Sequence, residues 1–394
     1  MQKKRCFLFV AVLAATMAAG AEPLFNTQNI FPLQDKHVHG SSIVECSNGD
    51  LLACWFHGSG ERTADDVCVQ GARLPKGAQA WSAVFTMADT PDIPDCNPVL
   101  FIDSRQRLWL FYIPVLAHRW ECCQLKYRRA EDYLDDGPPK WSWQDVIILK
   151  PGEVFAKTIE EKFDELHFEE GMWGEYALPY RRLIIEAAKD PYKRQTGWMT
   201  RIHPTVLPSG RILLPLYSDG FNLSLVAISD DEGEHWRASL PIVGLGPTQP
   251  TIVQKKDGAL VAYLRDSGDP PQRVQVSTSH DDGESWSASV DTDIPNPDSS
   301  LEVVPLEDGR WLMIHNDTEH GRHRLTASLS DDEGATWKWK HQLEPSDDAG
   351  RSFAYPSVIQ TPDGLIHMTY SCSAASGKCI RHAVLNVQWI RDHD

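Results

Sequence analysis

The sequence Ser-Asp-Asp-Glu-Gly-Glu-His-Trp at residues 229–236 is the first of three copies of one pattern, Ser-x-Asp-x-Gly-x-x-Trp. The second copy begins at Ser279 and the third at Ser330. Self-similarity at a period of about 50 residues is typical of units repeated around an axis rather than of one continuous sheet. The pattern therefore predicts a β-propeller.

Each copy has the composition of a tight turn between two strands. An apolar run precedes it, such as residues 223–228 before the first copy. The Ser and Asp side chains bond the backbone of their own turn, the Gly supplies a positive φ, and the Trp packs the turn onto the sheet. The three boxes are therefore predicted to stabilise the fold rather than to contact a substrate.

A second repeat counts the blades. Six times, an apolar run, a short turn and another apolar run follow one another, with turns at residues 48–50, 105–107, 209–211, 257–259, 308–310 and 363–365. Turns of this kind between apolar runs indicate hairpins. We expect an all-β fold over residues 22–394, with six blades of four antiparallel strands each. A strand near residues 25–31 is expected to complete the last blade and protect its edge.

The interval between the second and third of these turns is about twice the usual length. Apolar residues recur at helical spacing between Phe155 and Leu166, and a second helical run covers residues 180–189. The sequence predicts a helical insertion at about residues 151–198, between blades 2 and 3. This insertion either packs on the side of the propeller or leans over a central cleft, where it would contribute Glu169, Glu170 or Glu175.

Residues 1–21 have the pattern of a secretory signal peptide. A basic start is followed by an apolar run at 6–19 and by Ala-Gly-Ala at 19–21, a small-residue cleavage site. The apolar run is too short to span a membrane. The mature chain is therefore expected to be secreted or periplasmic, with no membrane span, as a monomer or small homo-oligomer. Removing Lys3, Lys4 and Arg5 changes the formal charge from −17 to −20, so nucleic acid is not an expected partner.

The cysteine and histidine spacings give no sign of a metal. Eight cysteines remain after the signal peptide, and an even number permits disulfides in an exported chain. Cys372 and Cys379 flank a short loop that a disulfide would close, whereas Cys46 and Cys54 are equally well explained as buried thiols. His37-x-His39 alone is weak evidence for zinc. No metal or other cofactor is expected.

Polar residues directly precede the six predicted inner strands. They are His39, Asn97, Arg201 with His203, Gln249, Ser299 and Tyr355. Because the inner strands of all blades surround one axis, residues far apart in sequence are expected to meet there. A hub that contains His and Arg side chains indicates a binding or catalytic site for an acidic ligand.

The boxes, the hairpins and the strand starts together resemble the sialidase (neuraminidase) superfamily, most closely its bacterial BNR-repeat branch. The resemblance covers about residues 35–385. It implies a site in which three Arg bind the carboxylate of sialic acid, a Tyr with a Glu partner is the nucleophile, and an Asp is the acid/base. A Tyr nucleophile is a known exception among glycosidases, and a neutral attacker avoids repulsion from the substrate's carboxylate.

The resemblance assigns roles to several residues of this chain. Tyr355, in Ala-Tyr-Pro-Ser-Val, matches the nucleophile, and Arg265 and Arg324 match the second and third Arg. Asp65 or Asp66 matches the acid/base. Further candidates for substrate binding are Arg201, His203 and Asn97. The implied function is that of a secreted exo-glycoside hydrolase that releases terminal sialic acid.

Two positions depart from the family pattern. His39 stands where the first Arg is expected and is predicted to replace it, and Gln249 stands where the Glu partner of the Tyr is expected. Because a Gln cannot act as a base, three explanations stay open. Another carboxylate substitutes, with candidates Glu61, Glu302 and the three Glu of the insertion. Alternatively, His39 or a carboxylate activates water with inversion, or the substrate is a glycan of rhamnose and uronic acid, cleaved by hydrolysis or elimination. A non-catalytic glycan-binding propeller is the remaining alternative.

Overall fold

Six four-stranded antiparallel sheets form the chain, in a computed structural model that describes residues 22–166, 172–344 and 350–392, with the backbone alone at 172–179. In five of the blades the strands pair in sequence order, which is the connectivity of successive hairpins. The sixth blade takes its outermost strand from the N-terminal part of the chain. The prediction of an all-β, six-bladed propeller is confirmed.

The strands are numbered in chain order, and β1 is Phe25–Asn29. Blade 1 contains β2 (His37–Glu45), β3 (Leu51–Gly58), β4 (Cys68–Leu74) and β5 (Phe85–Ala88). Blade 2 contains β6 (Asp95–Ile102), β7 (Leu108–Pro114), β8 (Lys126–Ala130) and β9 (Trp143–Val146). Blade 3 contains β10 (Thr205–Val206), β11 (Ile212–Ser218), β12 (Leu223–Ser229) and β13 (Arg237–Ala238). Blade 4 contains β14 (Pro247–Gln254), β15 (Leu260–Asp266), β16 (Arg273–Ser279) and β17 (Val290–Pro295). Blade 5 contains β18 (Glu302–Pro305), β19 (Trp311–His315), β20 (Leu325–Ser330) and β21 (Trp339–Glu344). Blade 6 contains β22 (Ser352–Gln360), β23 (Ile366–Ala374) and β24 (Gly377–Leu385), together with β1.

Strand β1 closes the ring. It pairs with β24 from Phe25 opposite Leu385 to Asn29 opposite Arg381. The pairing covers the N–H and C=O groups that β24 would otherwise expose, and an open edge of this kind invites association with other chains. The prediction that the N-terminal strand completes the last blade is confirmed.

The predicted turns lie between the first and second strands of each blade. Five of them contain a Gly with positive φ, for example Gly49 at 85° and Gly258 at 93°, and Gln106 takes the same conformation at 61° in blade 2. A side chain other than Gly costs energy in this region, which explains why the pattern is recognisable in sequence.

The three boxes fasten each turn internally. In the first box the Ser229 hydroxyl donates to Asp231 Oδ1 at 2.9 Å and accepts from the Gly233 N–H at 2.8 Å. The indole N–H of Trp236 donates to the Gly233 carbonyl at 3.0 Å. The other two boxes repeat the bonds of the Ser hydroxyl, and the second also repeats that of the indole. All three turns are thereby held in one conformation.

The predicted insertion contains helices α1 (Val154–Glu165), α2 (Met172–Lys189) and α3 (Pro191–Gln195). Phe155, Ile159 and Phe163 are buried, as the helical spacing predicts. Phe155 packs edge-on against the ring of Phe221 at 5.5 Å, so the insertion rests on the connection between β11 and β12. Within the described ranges no helix is long and apolar enough to cross a membrane. Glu169, Glu170 and the side chain of Glu175 lie outside the described residues.

Candidate active site

Four of the inner strands are interrupted near their start by a bulge. The pairing register shifts between His39 and Ser42, Cys96 and Val99, Thr248 and Thr251, and Ala354 and Ser357. A bulge adds an unpaired residue and redirects its side chain. The hub residues predicted to precede these inner strands therefore lie within them, because the strands begin three to four residues earlier than the sequence suggested.

The residue in each bulge has a left-handed backbone. The φ angles are 61° at Gly40, 49° at Asn97, 51° at Gln249 and 57° at Tyr355. Three of these residues precede a Pro, which disfavours all but extended conformations. Gly40 adopts this conformation without strain. For the other three residues, backbone strain of this kind costs about 1–3 kcal/mol each and concentrates at functional sites. The repeated strain indicates that the hub is built to aim side chains.

Tyr355 is the centre of this hub. Its phenolic oxygen accepts hydrogen bonds from Arg265 Nη1 at 3.0 Å and from Gln249 Nε2 at 3.3 Å. The guanidinium carbons of Arg201 and Arg322 lie 4.9 Å and 5.6 Å from the centroid of its ring. Two donors on the oxygen and two cations at the ring stabilise negative charge at this position.

Arg265 and Arg322 are held by the same aspartate. Arg265 Nε donates to Asp298 Oδ1 at 2.6 Å, and Ser267 Oγ donates to the same oxygen at 3.1 Å. Arg322 Nη2 donates to the backbone carbonyl of Asp298. These bonds place two guanidinium groups from blades 4 and 5 beside Tyr355 of blade 6. Arg matches a carboxylate bidentately, so the pair suits a carboxylated ligand.

Two carboxyl groups face this cluster from the ends of second strands. Glu61 lies three residues after β3, and Asp219 directly follows β11. Each remains accessible to solvent, and partial burial raises the pKa of both groups. The cations Arg62 and Arg265 oppose this shift of the pKa. A carboxyl group with a raised pKa is suited to proton transfer near neutral pH.

Asp65 and Asp66 are engaged farther along the same loop. Asp65 Oδ1 lies 2.7 Å from His118 Nε2, and both side chains are about half exposed. Asp66 accepts from the hydroxyl and the N–H of Ser59 at 2.6 Å and 2.8 Å and from Lys36 at 2.9 Å. The bonds from Ser59 lower the pKa of Asp66, which keeps it ionised. The acid/base role of either Asp stays a prediction.

Arg201 and His203 lie deeper in the hub. Arg201 is buried, and its Nη1 and Nη2 donate to the carbonyls of Ser41 and Pro356 at 3.1 Å and 3.0 Å. His203 lies two residues farther along the chain, between Glu302 Oε1 at 2.7 Å and the Ile43 carbonyl at 2.9 Å. His203 and Glu302 also line a cavity of about 800 Å³.

His39 and Asn97 complete the set of predicted residues at the hub. The ring of His39 lies 4.1 Å from that of Tyr355. Its burial, followed by nearby cations that include Arg322 and Arg201, lowers the pKa of His39 well below its usual range. A neutral imidazole does not supply the charge of the missing Arg. Asn97 Nδ2 donates to the hydroxyl of Tyr217 at 3.0 Å.

Sequence reasoning missed Arg322 and Asp219. Arg322 and Arg324 stand two residues apart in one loop, and the structure places Arg322 over the ring of Tyr355. The backbone carbonyl of Arg324 accepts from Asn316 Nδ2 at 2.7 Å, and its role at the site stays a prediction. The position of Asp219 in the sequence could have identified it. It directly follows the second strand of its blade, and the end of a second strand lies at the same edge of the blade as the start of the inner strand.

The described ranges contain no group of three His, Cys, Asp or Glu side chains that is placed to hold a metal ion. Cys372 and Cys379 lie directly opposite each other on β23 and β24 as free thiols.

A six-bladed propeller with box turns and an arginine-rich hub defines the sialidase-type propellers. The chain belongs to the family of BNR repeat-like domains, whose model matches residues 49–184 and 195–368. The resemblance found in the sequence, to the sialidase and BNR-repeat superfamily, is confirmed.

Curated relatives include three sialidases. The chain is 29% identical over 172 residues to a sialidase of Micromonospora viridifaciens, covering 41% of this chain and 25% of that protein. It is 28% identical over 182 residues to an anhydrosialidase of Macrobdella decora, covering 41% and 23%. A sialidase of Bacteroides fragilis is 26% identical over 159 residues, covering 38% and 28%. The matched part thus spans about a quarter of the length of these relatives.

Solved structures share the fold at low sequence identity. The Hadza microbial sialidase Hz136 superposes with a TM-score of 0.65 at 17% identity, over 90% of this chain and 66% of that one. A protein of unknown function from Dyadobacter fermentans gives a TM-score of 0.68 at 15% identity, over 91% and 97%. The intramolecular trans-sialidase of Ruminococcus gnavus gives 0.67 at 13% identity, over 93% and 98%. These similarities establish a sialidase fold.

Proposed function

We propose that this protein is an exported glycoside hydrolase that releases terminal sialic acid from glycans. The observation that carries the proposal is the convergence of Arg265 and Arg322 on Tyr355, at 3.0 Å from its oxygen and 5.6 Å from its ring. Two guanidinium groups beside a tyrosine suit a sugar whose carboxylate is attached directly to the reacting carbon. The similarity to named sialidases supports the same substrate.

Each group of the cluster has a role in this proposal. Arg265 and Arg322 bind the substrate's carboxylate, and Tyr355 faces the anomeric carbon. Glu61 protonates the leaving oxygen, because its raised pKa keeps a proton available at higher pH than in an ordinary Glu. Asp65 and Asp66 remain the alternatives for this step, and their pairing with His118 and Lys36 favours Glu61.

The proton acceptor is the unusual part of the mechanism. Gln249 Nε2 donates to Tyr355, and an amide does not take up a proton as a Glu would. Asp219 is a carboxylate near Arg265 that acts as the base, either towards Tyr355 or towards a water molecule. The first route retains the configuration of the sugar and the second inverts it.

Proton NMR of the mature chain with sialyllactose tests the proposal. Release of the α-anomer first means retention and makes Tyr355 the nucleophile despite Gln249. Release of the β-anomer first means inversion and points to water activated by Asp219 or another carboxylate. The absence of any released sialic acid over a range of pH would contradict the proposal.

A glycosidase or lyase acting on rhamnose and uronic acid is the second candidate. Gln249 and neutral His39 favour it, because both depart from the sialidase pattern while the two arginines still suit a carboxylated sugar. The same NMR measurement with uronic-acid oligosaccharides separates the two. A signal from an unsaturated uronate would indicate elimination, and new reducing ends without it would indicate hydrolysis.

A further inference from the structure

Arg201 joins three blades across the hub through one guanidinium group. It precedes β10 of blade 3 and is 2% exposed. Its two terminal nitrogens donate to the carbonyl of Ser41 in blade 1 and to that of Pro356 in blade 6. Both terminal nitrogens of Arg201 thus bond the backbone, and the role in substrate binding that the sequence suggests for Arg201 stays a prediction.

The two carbonyls that Arg201 binds belong to residues that directly follow a left-handed one. Ser41 follows Gly40 at φ 61°, and Pro356 follows Tyr355 at φ 57°. Arg201 thus supplies a bond to the unpaired segment of each of the two bulges. A strained backbone such as that of Tyr355 persists only where its surroundings hold it. Without these bonds, the backbone at Tyr355 is free to relax towards an extended conformation, which would carry its hydroxyl away from Arg265.

The environment of Arg201 is costly for stability alone. Within the described residues it has no carboxylate at ion-pair distance, and its buried Nε has no hydrogen-bond partner. A buried donor without a partner destabilises a fold, and the penalty is larger when the group is charged. The charge instead lies 4.9 Å from the centroid of the Tyr355 ring. A cation kept in this position acts on Tyr355 rather than on the fold as a whole.

We propose that Arg201 is a positioning residue that holds Tyr355 in its reactive geometry and supplies fixed positive charge beneath its ring. The inference rests on the proposed function of Tyr355 at the anomeric carbon. It assigns to blade 3 part of the positive charge that His39 does not provide.

Two substitutions of Arg201 and one matched control test the proposal. Arg201→Met removes the bonds and the charge, and Arg201→Lys keeps the charge but not the fork that reaches both carbonyls. Arg194→Met is the control, because Arg194 is also buried and bonds the backbone carbonyls of Pro151, Ala188 and Lys189 in the insertion. With sialyllactose we expect Arg201→Met to lower kcat about 100-fold with KM nearly unchanged. Arg201→Lys should fall between it and the wild type.

The control decides between positioning and general stability. Arg194→Met should lower the Tm as Arg201→Met does and leave kcat at the wild-type value. Equal kcat in the wild type and in folded Arg201→Met would overturn the proposal. If Arg201→Met does not fold, Arg201→Lys answers the same question, since wild-type kcat in that variant shows that the two carbonyl bonds are not needed.

An NMR measurement separates this proposal from the proposed function. In protein with ring-labelled tyrosine, the Tyr355 signal is identified by its loss in Tyr355→Phe. Arg201→Met should shift or broaden that signal, whereas Arg194→Met should not. If the wild type hydrolyses no glycan but the signal moves only in Arg201→Met, the proposed function fails and the positioning role stands. If the wild type is active and neither kcat nor the signal responds, the positioning role fails alone.

Discussion

Tyr355 owes its environment to side chains from four other blades. His39 comes from blade 1, Arg201 from the segment before blade 3, Gln249 and Arg265 from blade 4, and Arg322 from blade 5. Three guanidinium groups surround one phenol, and Asp298 is the carboxylate that pairs with Arg265. A few arginines in one place set the local field whatever the total charge, so the acidity of the whole chain does not exclude the anionic sugar proposed as substrate.

We predict that Arg322, rather than Arg324, binds the carboxylate of the substrate. Arg322→Ala should raise the Michaelis constant for sialyllactose about ten- to hundredfold, because a charged hydrogen bond to a buried carboxylate contributes about 1.5–3 kcal/mol. Steady-state kinetics measure the effect, with Arg324→Ala as the matched variant from the same loop. A large rise in Arg324→Ala and none in Arg322→Ala would restore the assignment made from sequence.

The role proposed for Glu61 predicts how kcat depends on pH. Only a protonated Glu61 donates to the leaving oxygen, so kcat should fall as the pH rises through its pKa, and burial places that pKa above the usual range of a Glu. Glu61→Gln should remove this limb of the pH profile and lower kcat about 10²- to 10⁴-fold. The loss should be smaller with a 4-methylumbelliferyl leaving group, which needs less protonation.

Asp66→Asn is the control for the pH profile. Hydrogen bonds from Ser59 lower the pKa of Asp66, so this group is already ionised near neutral pH, and its substitution should leave the predicted limb in place. A pH limb that survives in Glu61→Gln and disappears in Asp66→Asn would identify Asp66 as the acid.

The box turns contact the neighbouring blade as well as stabilising their own. A Cβ at Gly233 would lie 2.6 Å from the Trp109 ring of blade 2, and one at Gly334 would lie 2.0 Å from the Tyr263 hydroxyl of blade 4. Each of these two boxes therefore presses its backbone against the preceding blade. The glycine meets two demands at once, a positive φ and a close approach.

The contribution of the close approach between Gly233 and Trp109 to stability can be measured. Gly233→Ala should reduce the free energy of unfolding by about 1–2 kcal/mol for the left-handed backbone and by a further 1–3 kcal/mol or so for the clash with Trp109. Gly210→Ala is matched, because its φ is 88° and no atom lies within 4 Å of an added Cβ. Urea unfolding of both variants gives the difference. Equal losses would show that the contact between the blades contributes nothing.

Strand β1 closes the ring of six blades. The five residues of β1 pair with β24, and the Leu24 N–H donates to Asn386 Oδ1 at 3.1 Å. A propeller whose last blade lacks its outer strand has an exposed edge and a weaker join between its ends.

Removing residues 22–30 tests this closure. The shortened chain should unfold at a lower temperature than a chain that lacks residues 1–21 alone, and it should scatter more light on heating because the edge of β24 is exposed. Calorimetry and light scattering measure both effects. An unchanged Tm in the shortened chain would mean that the propeller closes without β1.

The repeated boxes, the six hairpin turns and the helical spacing of Phe155, Ile159 and Phe163 determined the fold from sequence. These features are local, because each depends on residues within one turn or one helix face. Tyr355, Gln249, Asn97 and His39 were also found from sequence, since each stands beside the start of an inner strand. The strand starts themselves were placed too late, because a bulge with positive φ has no fixed sequence pattern.

Only the tertiary structure decided which charged groups face one another. Arg322 and Arg324 are equivalent in sequence, and the direction of one loop places Arg322 over Tyr355. Asp219 gained significance because the end of β11 lies near Arg265 of the next blade. The bonds by which Arg201 links the carbonyls of Ser41 and Pro356 also depend on the tertiary structure alone. Contacts between blades depend on how six units close around an axis, and no local pattern in the chain encodes that distance.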